Sequence, residues 1–229
     1  MIALKISSIK KNRATAKLKR KFKIKKPKMK KYITGFVLML ISIIGLNSNG
    51  YSQSTYKIEE TKDVGMKLLG TSTLHNWEME ATSVSGEAQF IFKAGSKSDL
   101  TSVKSLSFSL EVKDLKSDSK GLDKNAYKAL KSDEFKDIHY KLISTTVTPE
   151  KKNEYLLKTS GKLTIAGVSR EIEMDVHCVV NANGSVTCTG SNKLNMTDYN
   201  VEPPSFLLGA MKTGDAITLE FNVIYKKSR

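Results

Sequence analysis

The sequence has two cysteines, Cys178 and Cys188, and three histidines, His75, His139 and His177, in 229 residues. Two cysteines are too few for a thiolate metal site, and no histidine has a second ligand at metal spacing, so no metal and no cofactor is expected. There is no Gly-x-Ser-x-Gly, no His-Glu-x-x-His and no glycine loop followed by Lys-Ser/Thr. Those absences remove common hydrolase, metalloprotease and nucleotide-binding chemistries. Acid is missing from residues 1–31, and charge of either sign from residues 32–50.

That uneven distribution changes the meaning of the net charge of +15. Residues 1–31 carry 14 of the 38 basic side chains. Residues 51–229 carry the other 24 against all 23 acids, a net of +1. A near-neutral body excludes a globally basic domain, and with it a nucleic-acid partner. The body of roughly 180 residues is long enough for one domain with a sizeable core.

Ile33 to Leu46 is an uncharged apolar run that follows Lys30-Lys31 and precedes small polar residues. It is too short for a membrane-spanning helix, which needs about 20 apolar residues. A basic stretch, a short apolar stretch and small residues at a cut describe a secretory signal peptide. Cleavage after Gly50 or after Ser52 fits, and no cysteine near the cut supports lipid attachment. Residues 1–52 are therefore read as leader plus signal peptide, with Met29 a plausible true start, and residues 53–229 as the domain. A periplasmic or secreted protein with no stable membrane span is expected. A membrane anchor or a basic amphipathic arm is the alternative.

Cys178 and Cys188 flank Asn181-Ala182-Asn183-Gly184, a strong turn signal. A three-residue loop with Gly184 left-handed pairs Asn181 with Ser185 and sets the cysteines opposite each other. In that register a cross-strand disulfide is feasible, and two buried thiols are the alternative.

Period-two alternation runs through most of the domain. Leu106, Phe108, Leu110 and Val112 alternate with serines and Glu111. Ile172, Met174, Val176 and Cys178 alternate with Glu171, Glu173, Asp175 and His177. Ile217, Leu219, Phe221 and Val223 alternate with polar neighbours. Strands are expected at 55–59, 64–71, 75–82, 86–93, 102–113, 138–147, 154–165, 169–180, 185–196 and 215–226. Each has one apolar and one wet face, as antiparallel sheets do. One helix, about 121–132, puts Leu122, Ala126, Ala129 and Leu130 on one face, with Asp123 as its expected N-cap. Residues 203–211, with two prolines, are expected as a turn plus a short helical or irregular piece. Long antiparallel strands with one apolar face must form a sandwich or close on themselves. A closed barrel of about eight strands is just filled or holds one small ligand, and periodicity leaves both open.

Of the polar residues, His75 in Thr73-Leu74-His75-Asn76-Trp77 and Asp198 in Asn195-Met196-Thr197-Asp198-Tyr199 are the unusual ones. Each reads as a hydrogen-bonded strand-end or turn residue, or as half of a catalytic pair if the fold unites them.

Four segments together resemble one family. Gly161-Lys-Leu-Thr-Ile-Ala-Gly-Val-Ser169-Arg-Glu-Ile172 resembles a hairpin of the YceI-like family. The helix from Leu122 leading into Phe135, Ile138 and Tyr140 resembles the family's segment in which a helix leads into the following strand. Leu194 to Tyr199 resembles its turn, and Gly214 to Phe221 its final strand. The likeness spans about residues 54–227. It departs at Met66–Ser72 and Thr73–Trp77, and the arginine before the turn aspartate is absent, with Asn195 or Met196 near its place. The resemblance implies an all-β, single lipocalin-like antiparallel barrel of a bacterial secreted protein, with a polyisoprenoid or related lipid in an apolar tunnel. The expected lining is Trp77, Phe90, Phe108, Leu142, Leu163, Met196, Phe206 and Met211. The alternatives are a packed barrel that binds a partner, and an enzyme around His75 and Asp198. The oligomeric state is open, a dimer being one option.

Overall fold

The computed structural model describes residues 54–59, 65–206 and 211–228. The leader, with its basic run and apolar stretch, lies outside the described residues. Twelve strands follow in chain order. They are β1 (Thr55–Ile58), β2 (Gly65–Ser72), β3 (Asn76–Ala81), β4 (Ser85–Phe92), β5 (Leu100–Glu111), β6 (Leu115–Lys116), β7 (Asp137–Lys151), β8 (Glu154–Ile165), β9 (Val168–Val180), β10 (Val186–Asn195), β11 (Ser205–Phe206) and β12 (Met211–Lys227). One helix, α1 (Lys120–Ala129), stands between β6 and β7.

The alternation of apolar and polar side chains decides which face each strand buries. In β8, Tyr155, Leu157, Thr159, Gly161, Leu163 and Ile165 are buried at every second position. In β9, Val176, Cys178 and Val180 are buried while Asp175, His177 and Val179 are exposed. A sheet this long with one apolar face closes to hide it. The ring runs β1–β4–β5–β7–β8–β9–β10–β12, and pairing of β12 with β1 completes an eight-stranded antiparallel barrel. β12 is long enough to do two things. Its last residues pair with β1, and Thr213 to Asn222 pair with β2, which continues through β3 to β6.

The β9–β10 turn forms as its residues dictate. Asn181 donates its backbone N–H to Ser185 O and accepts from Gly184 N, both at 2.9 Å. Gly184 takes φ +81°, the left-handed region open to glycine. Cys178 and Cys188 are then direct cross-strand partners.

Two expectations are corrected, the N-cap of α1 and the end of β7, and one is sharpened. The N-cap of α1 is Ser119, whose Oγ accepts from Leu122 N at 3.3 Å. Asp123 lies one turn inside and accepts from Ser117 N and Oγ, each at 2.7 Å, tying the helix to the loop before it. In the 203–211 stretch, Pro203 and Pro204 are irregular, Ser205 and Phe206 form a short strand paired with Lys212 and Met211, and residues 207–210 lie outside the described residues. β7 runs on to Lys151, and Pro149 sits beside a register shift, where a missing N–H is tolerated.

Two layers of core fill the barrel at different heights. Tyr56, Ala88, Phe90, Leu100, Tyr155, Val180 and Val186 pack one end solid. Toward the other end, Met66, Met79, Leu110 and Leu115 meet the apolar face of α1, and Tyr140, Leu163, Leu194, Tyr199 and Ile217 meet the β8–β9 turn.

Candidate functional site

Above the packed end the barrel holds a cavity of about 190 Å³. Its floor is Leu157, Val176, Cys188, Val223 and Tyr225, which are also the top of the packed core. Its wall comes from β2, β3, β5, β7, β8, β9, β10 and β12. Leu122, Ala126, Ala129 and Leu130 of α1 cover it, and Met196, Pro204 and Thr213 also line it. No carboxylate, lysine, arginine or histidine is among the lining residues.

The wall has a device that keeps large rings out of the lumen. Trp77 lies directly across the strand pair from Gly70, and Phe221 from Gly190. Tyr140 lies over Gly161. A Cβ at any of the three glycines would collide with its ring. Because the glycines have no side chain, the rings lie against the wall, and the space they leave is the cavity. The indole Nε1–H of Trp77 donates to Thr71 O at 3.0 Å and fixes that ring.

Polar atoms inside are few and neutral. Burial pushes the Tyr140, Tyr199 and Tyr225 hydroxyls above the ordinary tyrosine value. The Tyr199 hydroxyl is buried with no hydrogen-bond partner. The Tyr140 hydroxyl feels Thr159 electrostatically. Thr159, however, gives its own proton to Met174 O at 3.0 Å, and the Tyr140 oxygen has no well-formed hydrogen bond. Cys178 and Cys188 are both buried and face each other with their Sγ atoms 2.6 Å apart. The neighbouring thiol and burial push the Cys188 pKa well up.

The structure places most of the expected lining residues on the cavity. Trp77, Phe108, Leu142, Leu163 and Met196 all face it. Phe90 does not. It packs in the solid end, edge-on to Tyr56 at 5.2 Å and to Tyr225 at 5.6 Å between ring centroids. Its strand parity is inward as expected, but its height along the barrel is below the floor. Phe206 and Met211 are backbone partners of one another, and their side chains lie outside what the structure describes.

His75 and Asp198 do not meet in the cavity. His75 is exposed, with Nδ1 at 2.8 Å from Asn76 O. Asp198 is exposed, accepts from Asn195 Nδ2 at 3.4 Å, and its carbonyl accepts from Arg170 Nε at 2.7 Å. Among the described residues, no group of three or more His, Cys, Asp and Glu is placed to hold a metal ion. Sequence reasoning grouped Leu122, Ala126, Ala129 and Leu130 on one helix face but did not assign them to the lining. The signal was there, because two of the four are alanines, which leave room beneath a helix. The glycine–aromatic pairs were missed because register has to be known before a glycine can be matched to its ring.

A family model for the YceI-like domain matches residues 56–225. No curated protein matches the sequence. Among solved structures, the chain is similar to a polyisoprenoid binding domain from Saccharophagus degradans implicated in plant cell wall breakdown. The identity is 8% and the TM-score 0.57, over 77% of this chain and 100% of that one. It is also similar to Burkholderia cenocepacia BcnA, at 15% identity and a TM-score of 0.55, over 70% of this chain and 95% of that one. At such identities the likeness is one of fold.

Proposed function

The chain belongs to the YceI-like domain family, and on that premise we propose that it is an exported, non-enzymatic carrier holding a long apolar molecule inside its barrel. The ligand class is a polyisoprenoid or a related lipid, in keeping with the polyisoprenoid binding domain that shares its fold. The observation that carries the reading is the lining itself: an interior of hydrocarbon, thioether and aromatic surface with no charged group, continuous from Tyr225 at the floor to Met196 and Thr213. Such a space gives water few partners and an apolar chain many. A catalytic role would need an acid, base or activated nucleophile at the ligand, and the lining offers the neutral hydroxyls of three tyrosines, Thr159 and Thr213, the Asn125 amide and the Cys188 thiol, with no charged group or histidine beside them.

The size of the cavity selects the shape of the occupant. At about 190 Å³ it is smaller than the roughly 300–1,000 Å³ of pockets for drug-sized ligands. It suits a slender chain. Met66, Met79, Met174 and Met196 line it, and methionine's unbranched thioether adapts to an irregular occupant. Each CH₂ moved from water into it contributes about 0.8 kcal/mol, less the ordering of the tail. Affinity therefore rises with chain length until the tunnel is full and then levels.

The leader supports export. Its basic run, apolar stretch and small residues are those of a signal peptide, and N-terminal mass spectrometry of the protein from its host should find it beginning at Tyr51 or Gln53. The test of the carrier reading is a titration with polyprenyl alcohols of graded length delivered from detergent. Saturable uptake that strengthens and then plateaus with length is expected. No uptake at any length would leave a packed barrel without a ligand.

A further inference from the structure

The helix that covers the tunnel has a second face, and nothing in the carrier reading uses it. Lys120, Lys124 and Lys128 recur every four residues and share one stripe, and Lys131 follows just past the helix end with a left-handed backbone (φ +52°). At 100° per residue the stripe lies opposite Leu122, Ala126, Ala129 and Leu130, which line the tunnel. All four lysines are exposed, and none makes an ion pair among the described residues. The acids beside them are partly spent. Asp123 is held by Ser117, Asp133 pairs with Lys113 at 3.3 Å, and Glu134 is exposed beside the same face.

The helix is also loosely seated. None of its residues is buried. Its apolar face packs on Met79, Leu110 and Leu115, and polar contacts hold one edge. Tyr127 donates to Leu115 O at 2.7 Å and accepts from Lys116 Nζ at 2.8 Å, and Asp123 accepts from Ser117.

We propose that the lysine face of α1 docks on an anionic phospholipid surface, which sets the helix between that surface and the tunnel it covers. The apolar face of α1 stays with the barrel, so contact with a bilayer would be electrostatic, through lysines drawn to anionic headgroups. The occupant is an anionic lipid surface because Lys120, Lys124 and Lys128 are exposed and unpaired along one side of the helix, and each lysine near a charged bilayer adds about 1 kcal/mol of attraction. The proposal rests on the carrier reading, since it gives the cargo a route between membrane and barrel.

The test uses the mature protein, beginning at Tyr51 or Gln53, because the 14 basic residues of the leader would themselves bind anionic vesicles and mask the helix. Binding is measured to vesicles of mixed phosphatidylglycerol and phosphatidylcholine and to vesicles of phosphatidylcholine alone. Three forms are compared: wild type, K120Q/K124Q/K128Q, and K151Q/K152Q at the β7–β8 turn. Glutamine keeps the helix propensity of lysine. The helix variant is expected to lose about fivefold per lysine, about a hundredfold in all, on the anionic vesicles. The turn variant should bind as wild type does, and added salt should weaken wild type most. Uptake of a polyprenyl alcohol from detergent should be unchanged in all three. Equal vesicle binding by the three forms overturns the docking proposal and leaves the carrier reading standing. Failure of wild type to take the alcohol from detergent overturns the carrier reading itself, and the docking proposal falls with it.

Discussion

Replacing Gly190 by alanine should close part of the tunnel without breaking the barrel. Gly190 faces Phe221 across β10 and β12. A Cβ built there lies 2.5 Å from Phe221 Cζ and 3.2 Å from Asp175 O on the other side. Carbon atoms in contact sit about 3.5–4.0 Å apart, so the ring must move by about 1 Å or more. The carbonyl behind blocks retreat of the methyl, and the ring's free side is the lumen. Overpacking of this kind costs about 1–3 kcal/mol of stability, which a barrel of this size tolerates. The ring would then occupy space along a tail over about 50 Å² of contact, worth about 1.3 kcal/mol, or about tenfold in affinity. Trp77 is the only tryptophan and lines the same tunnel, so its fluorescence reads occupancy directly. G190A should show wild-type circular dichroism, with a titration curve shifted about tenfold, and adding F221L should restore most of the loss by returning the ring's volume. A folded G190A that binds as tightly as wild type would show that the tail does not pass Phe221.

Phe90→Ala tests the division between solid end and tunnel. It should cost about 3–5 kcal/mol in urea unfolding, with affinity for a polyprenyl alcohol unchanged in the folded fraction. Alkaline titration tests the buried hydroxyls. Burial raises the Tyr140, Tyr199 and Tyr225 pKa values above 10.0, so their neutral forms contribute stability in full below the unfolded value. That contribution is lost as pH climbs past 10 toward the folded values. Thermal midpoints should therefore fall steeply there, and Y225F should flatten the fall. Cys178 and Cys188 are 1% and 2% exposed, so iodoacetamide should label neither in the folded reduced protein and both after unfolding. Labelling under native conditions would show that the floor of the tunnel opens.

Much of the fold is legible in the sequence because the barrel obeys local rules. Alternation in β5, β9 and β12 is set by which face meets water. The Asn181–Ser185 turn is set by a glycine that tolerates φ +81°. The stripe of Leu122, Ala126, Ala129 and Leu130 is set by helical spacing, and it faces the tunnel. The errors arise where two local solutions compete or where height matters. Ser119 and Asp123 are both good caps, and only the path of the preceding loop decides that Ser119 takes the role while Asp123 reaches back to Ser117. Phe90 has the inward parity of a lining residue, yet parity says nothing of position along the barrel axis, and Phe90 falls below the floor. The cavity itself depends on register. Gly70, Gly161 and Gly190 read as weak points in strands until each is seen beneath its ring.

The most direct measurement is native mass spectrometry of the protein taken from its own host, followed by organic extraction of whatever it carries. The account predicts a bound apolar mass that is released by solvent, identifies as a long-chain lipid, and rebinds to the stripped protein with a change in Trp77 fluorescence. Protein that emerges without cargo and takes up no polyprenyl lipid afterwards would contradict it.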